Sequence, residues 1–248
     1  MAFLYLLPST QEFNPYINHG NEEYYMNLIA DALVPFLHAS GISFTRNTLE
    51  MTAASSIEES NSGEYDLHLA LYSNAASEDL AGTLTGINVY YNPASEQSQR
   101  AAELIRDQLK EIYPNPDKVQ IVPTTSIGEV NKVRAPGVLA ELGYHDNLSD
   151  AEWIQSHIYE IARSMSKAPT QYFYLPFLEP QLPQIGIVDL NWGYLNIRAA
   201  PSTDAAVVAQ SFDGARLIIW NEYQDWFIIE WKGIEGYAHK DYITKEQR

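Results

Sequence analysis

The hydrophobic pattern changes its period part-way along the chain, and this change constrains the fold more than any other feature. Up to about residue 168, short apolar runs alternate with segments whose apolar residues recur every three or four positions. Beyond Gly186 only short β-type runs remain, separated by turn residues. Strands alternating with helices predict a layered α/β domain, and closely spaced short strands predict a small all-β barrel.

The first part begins with Phe3–Leu7, an apolar run closed by Pro8, which reads as a buried strand and not as an export signal. From Asn21 to about Ala39 the residues Tyr25, Leu28, Ile29, Ala32, Leu33 and Phe36 follow a helical period. Asn21 is the predicted N-cap, and Glu22 and Glu23 fall where the helix dipole favours acids. Gly41 is expected to end this helix, and Ile42–Thr45 alternates like a strand. Further helices are predicted over Thr52–Asn61, Ser95–Ile112 and Ser149–Met165, the last capped by Ser149. Further strands are predicted over 65–73, 88–91 and 137–141. Residues 169–183, rich in proline and aromatics, read as an ordered linker.

Composition excludes several chemistries. The chain has 248 residues and no cysteine, so disulfides, thiolate metal sites and cysteine nucleophiles are ruled out. A net charge of −17 opposes binding to nucleic-acid phosphates. No segment approaches the length of a membrane span. Phosphate loops, dinucleotide fingerprints and a G-x-S-x-G element are absent.

In the second part the order of Leu195-Asn196-Ile197-Arg198-Ala199-Ala200-Pro201-Ser202, Gly214, Trp226 and Gly236-Tyr237-Ala238 resembles the bacterial SH3-like family. That resemblance implies binding of wall peptides or support of a partner domain. Most of the tryptophans and Tyr237 are expected to fill a very small core, and Trp192, Trp226 and Tyr237 are the candidates for an aromatic ligand groove.

Several segments of the first part resemble, in order, the zinc-dependent N-acetylmuramoyl-L-alanine amidase family. They are Glu23-Tyr24-Tyr25-Met26-Asn27-Leu28-Ile29-Ala30, Gly41–Arg46, Asn61–Ala75 and Val138-Leu139-Ala140-Glu141-Leu142-Gly143-Tyr144 with Asn147. The resemblance implies a mixed sheet flanked by helices over residues 1–168, a link over 169–184 and the SH3-like domain over 185–248. It also implies peptidoglycan or its stem peptides as partner, zinc as cofactor, and hydrolysis of the amide between a lactyl group and L-Ala. Such hydrolysis needs a metal-activated water and a carboxylate that moves its proton. By position, Glu141 matches the catalytic acid and Glu23 a metal ligand, while Tyr72 stands where the family has a ligand histidine.

A phenol is a poor replacement for a neutral imidazole as a zinc ligand. The opening segment Leu7-Pro8-Ser9-Thr10-Gln11 also lacks the family's histidine, leaving His19 as the nearby imidazole. Asn74 and His145 are expected to meet substrate. His68 is expected to be a buried, satisfied histidine, and His38, His157 and His239 to be surface residues. The alternative to an active amidase is a non-catalytic wall-binding or regulatory protein on the same fold.

Overall fold

The computed structural model describes residues 2–246. It divides into two compact units, one comprising Phe3–Leu33 and Phe44–Tyr172, the other Ala2, Val34–Ser43 and residues 173–246.

The larger unit is an α/β layer structure. Its elements in chain order are β1 (Phe3–Pro8), α1 (Glu22–Ala39, of which Val34 onward belongs to the smaller unit), β2 (Ser43–Arg46, of which Ser43 belongs to the smaller unit), α2 (Ala53–Ser62), β3 (Leu67–Asn74) and β4 (Ile87–Tyr91). There follow α3 (Glu96–Lys110), β5 (Val119–Pro123), α4 (Gly128–Asn131), β6 (Gly137–Tyr144), α5 (Leu148–Ser156) and α6 (Ile158–Tyr172). The sheet runs β2-β1-β3-β6-β4-β5. Strands β1, β3 and β6 are parallel neighbours, and β4 runs antiparallel to β6, so the sheet is mixed. The strands are near-continuous apolar runs because helices cover both faces. On one face Tyr5, Leu7, Ala70, Tyr72 and Leu139 pack with Val130 of α4. Elsewhere α6 packs on α3 and α5, and α3 and α5 pack on the sheet.

Local chemistry explains the element ends. The side chain of Asn21 accepts from the N–H of Tyr24 at 2.8 Å, as an N-cap should. Gly41 takes φ 72°, a left-handed conformation suited to glycine, and the N–H of Ile42 closes back on the carbonyl of Leu37 at 3.0 Å. Thr52 and Ser55 form a reciprocal capping box at the start of α2.

Four sequence expectations are corrected. The predicted helix over 149–165 is two helices, broken at His157. Its cap is Asn147, not Ser149, because the Asn147 side-chain oxygen accepts from the N–H groups of both Ser149 and Asp150. Helix α6 continues through Pro169 to Tyr172, so the link starts later than its prolines suggest. Strand β5, a half-exposed edge strand parallel to β4, was not anticipated.

The smaller unit carries β7 (Gln184–Val188), β8 (Leu195–Arg198), β9 (Val207–Ser211), β10 (Arg216–Tyr223), β11 (Trp226–Trp231), β12 (Ile234–His239) and β13 (Ile243–Lys245). These form one antiparallel sheet in the order β13-β7-β10-β11-β12-β8-β9. Its core gathers Leu195, Ile197, Leu217, Ile219, Phe227 and Ile229 from alternate positions of three strands, β8, β10 and β11. Lys232 and Gly233, both at positive φ, form the two-residue turn between β11 and β12.

Candidate functional site

In the parallel strands Pro8 pairs with Leu71, and Tyr72 pairs with Glu141. The C-terminal ends of β1, β3 and β6 therefore meet at one edge of the sheet, the usual place for ligands in open α/β folds. Beyond this point the register slips: Tyr72 faces Glu141, but Asn74 faces Tyr144. Gly143, at φ 131°, lies in the slipped stretch of β6. Such irregularities re-aim side chains next to sites, and here the Asn74 amide donates to a Glu141 carboxylate oxygen.

Glu141 is half-buried at this edge. Burial pushes its carboxyl up to about 7, hydrogen bonds from Tyr90 and Asn88 pull it back, and the charge of Glu22 adds to the rise. Asn88 is Glu141's partner on the antiparallel strand β4. Burial together with the Glu141 carboxylate drives the Tyr90 phenol above its ordinary range.

A second acid reaches this edge, and it is Glu22, where Glu23 was expected. Glu22 is 1% exposed. Its carboxylate accepts from Asn14 Nδ2 at 2.7 Å and from the Ser73 N–H at 3.3 Å. Burial raises its pKa, and the hydrogen bonds from Asn14, Ser9 and Ser73 offset part of the rise. Glu23, one residue on, is turned about 100° around the helix axis and is only half-buried.

Tyr72 is not placed as a ligand. Its hydroxyl donates to Glu129 Oε1 at 2.9 Å. Burial, then the charge and hydrogen bond of Glu129, hold the phenol far above its usual range, which opposes the phenolate a metal would require. His19 is exposed, its ring set edge-on to Tyr25 at 6.1 Å, and it does not complete the site. His145 is buried and is not open to substrate as expected: its Nδ1 pairs with Ser73 Oγ at 2.9 Å and its ring stacks on Tyr16. Burial lowers its pKa. Ser73 thus links Glu22 to His145, its N–H serving one and its hydroxyl the other.

His68 is fully buried, as expected, but satisfied at one nitrogen only. Its Nδ1 pairs with Ser60 Oγ at 2.8 Å, while Nε2 has no hydrogen-bond partner. Burial lowers its pKa to about 3, so the ring is neutral.

The edge residues do not fit zinc. They supply two carboxylates, a phenol committed to Glu129 and an imidazole committed to Ser73. Among the described residues, the one group of acids and histidines close enough to share an ion is His38, Glu230 and Glu235, in the other unit.

In the smaller unit a cavity of about 830 Å³ is lined by Trp192, Tyr194, Arg198, Trp226, His239 and Tyr242, among others. Trp192 is 88% exposed, and Trp226 is mostly buried and edge-on to His239. Tyr237 is removed from the groove candidates. It is fully buried beside Trp226 and Ile228, and its hydroxyl donates to the Ser40 carbonyl at 3.2 Å.

The family profile for N-acetylmuramoyl-L-alanine amidase matches residues 14–170, more than half of the chain. The chain belongs to this amidase family. A bacterial SH3 domain profile matches residues 193–244. Comparison with curated proteins gives no match. Among solved structures, the fold is similar to the amidase AmiC2 of Nostoc punctiforme, with TM-score 0.61, 14% identity, and coverage of 70% of this chain and 97% of that one. It is also similar to an N-acetylmuramoyl-L-alanine amidase of Clostridium difficile 630, with TM-score 0.63, 14% identity and the same coverage, 70% and 97%. The amidase Ami1 of Mycobacterium smegmatis gives TM-score 0.60, 16% identity, and coverage of 70% and 97%. At these identities the likeness is one of fold.

At this edge of the amidase-family fold stand Glu141, in β6 shortly before the strand ends at Tyr144, and Glu22, at the start of α1. The sequence could not indicate Asn14, Asn88 and Tyr90, because strand pairing and a loop bring them in. Glu22 was visible only as half of an acidic pair.

Proposed function

We propose that this chain is directed at bacterial peptidoglycan, and that its edge site binds the amide joining the lactyl group of N-acetylmuramic acid to L-Ala. The division proposed is an amidase-family domain to residue 172, a link, and an SH3-like domain from about residue 185. The observation that carries this reading is the acid pair Glu22 and Glu141, held by Asn14, Ser73, Asn74, Asn88 and Tyr90 at the sheet edge. A carboxyl whose pKa lies near 7 can donate to an amide carbonyl when protonated and accept from an amide N–H when ionised. An acidic surface gains nothing from anionic wall polymers, so recognition rests on hydrogen bonds and on stacking against Trp192 and Tyr194.

Hydrolysis is the second reading, favoured by the same pKa, which suits an acid or base at neutral pH. The family's zinc, when bound, would activate water, but the donors gathered at this edge do not supply its ligand set.

Co-sedimentation with purified peptidoglycan tests the binding site. Asn74→Ala and Glu141→Gln should each weaken binding by about tenfold, the loss of roughly one good hydrogen bond to a charged group. Edge variants that bind like the unaltered chain, with binding lost in Trp192→Ala, would leave the groove as the binding site and defeat the edge reading.

A further inference from the structure

The hairpin β11–β12 sets two carboxylates opposite one another. Its Lys232-Gly233 turn fixes a register in which Glu230 pairs directly with Glu235. Like-charged side chains directly opposite each other destabilise a sheet. A buried carboxylate also needs a partner, and Glu235 is only 5% exposed. A third donor faces this pair: His38, in the last turn of α1, contacts a Glu235 oxygen through Nδ1. The His38 ring lies flat on Trp220, with centroids 4.1 Å apart and planes within 10°. Ser43 Oγ donates to the other Glu235 oxygen at 3.3 Å. One ligand atom from each of His38, Glu230 and Glu235 lies within 4.8 Å of the others. All three residues belong to the smaller unit.

We propose that His38, Glu230 and Glu235 form a binding site for a zinc-class divalent cation. One imidazole and two carboxylates are three protein ligands of the types zinc takes, leaving a fourth position for water. The stacked Trp220 fixes the imidazole plane, and Ser43 orients the buried carboxylate, as supporting groups do around metal sites. The cation relieves the repulsion of the facing acids and ties the end of α1 to the hairpin. Binding free energy at such a site adds directly to folding free energy. The role is structural and independent of the edge site.

The test uses the full chain, stripped with a chelator and titrated with zinc chloride against a competing indicator, with bound metal counted by mass spectrometry. One equivalent is expected. Glu230→Gln, at a half-exposed position, should reduce affinity by about tenfold or more, and Glu22→Gln should leave it unchanged. Zinc should raise the melting temperature of the unaltered chain and not that of Glu230→Gln. The metal-free variant should melt no lower than the metal-free parent, since it lacks the facing acid, and this separates lost binding from lost folding. No zinc uptake at micromolar supply, uptake indifferent to Glu230→Gln, or uptake lost in Glu22→Gln would overturn the proposal. Preference for Ca²⁺ or Mg²⁺ over zinc would overturn the cation class.

Discussion

The sheet edge of the amidase-family unit and the hairpin of the SH3-like unit each gather two acids, and they differ in what stands beside them. At the edge, Glu22 and Glu141 are surrounded by amides, a backbone N–H and phenols, and burial raises both carboxyls. In the hairpin, an imidazole contacts the more buried carboxylate. A buried acid pair can be accommodated by holding a proton or by offering itself to a cation. The donor set decides which, and here the edge has the first kind and the hairpin the second. The family fold thus keeps its acidic edge, while the one group of three acids and histidines among the described residues close enough to share an ion lies elsewhere.

The largest effect should come from removing the packing under the hairpin. Tyr237→Ala deletes a fully buried ring and leaves the Ser40 carbonyl without its donor. It should destabilise the smaller unit by roughly 3–5 kcal/mol, seen as an early melting step by calorimetry. Unchanged melting would show that the buried Tyr237 ring does not support the smaller unit.

Next comes the proton at the edge. A carboxyl raised in the folded state binds more protons than in the unfolded chain, so it costs stability as pH rises from the unfolded value near 4 through about 7. Glu141→Gln should therefore be more stable than the parent at pH 8, by at most roughly 3 kcal/mol, and no more stable at pH 4. Urea denaturation at the two pH values measures this, and an equal difference at both would show that Glu141 does not carry the shift.

Tyr72→His would give the edge what the hairpin has. Placed near Glu22 and Glu141, the new imidazole should add a second zinc equivalent with affinity improved about tenfold or more over the parent edge. Metal counting in a Glu230→Gln background isolates it. The smallest effect on stability belongs to Trp192→Ala, at an exposed position, which should change it by less than about 0.5 kcal/mol. It should still weaken binding of wall fragments.

These contrasts also mark what could be read from the sequence. The period of the apolar residues placed most elements of the α/β layer, and the spacing of Leu195, Gly214, Trp226 and Gly236 placed the second unit. Glu141 stood out because an acid inside an apolar run has few structural explanations, although β6 continues past it to Tyr144. Glu22 was not separated from Glu23, since one residue of helix phase turns a side chain from the core to the surface. Strand β5 escaped notice because it is short and half-exposed, with no strong alternation. The hairpin cluster was illegible: His38 and Glu235 are 197 residues apart, and only folding brings them together.

The central claim is that the edge site recognises peptidoglycan without the family's zinc set. Its most direct test is release of L-Ala amino groups from purified peptidoglycan, with zinc or with chelator, by the parent chain and by Glu141→Gln. The account predicts binding by the parent chain with no zinc-dependent release. Release that requires zinc and disappears in Glu141→Gln would contradict it and establish a working metal centre at the edge.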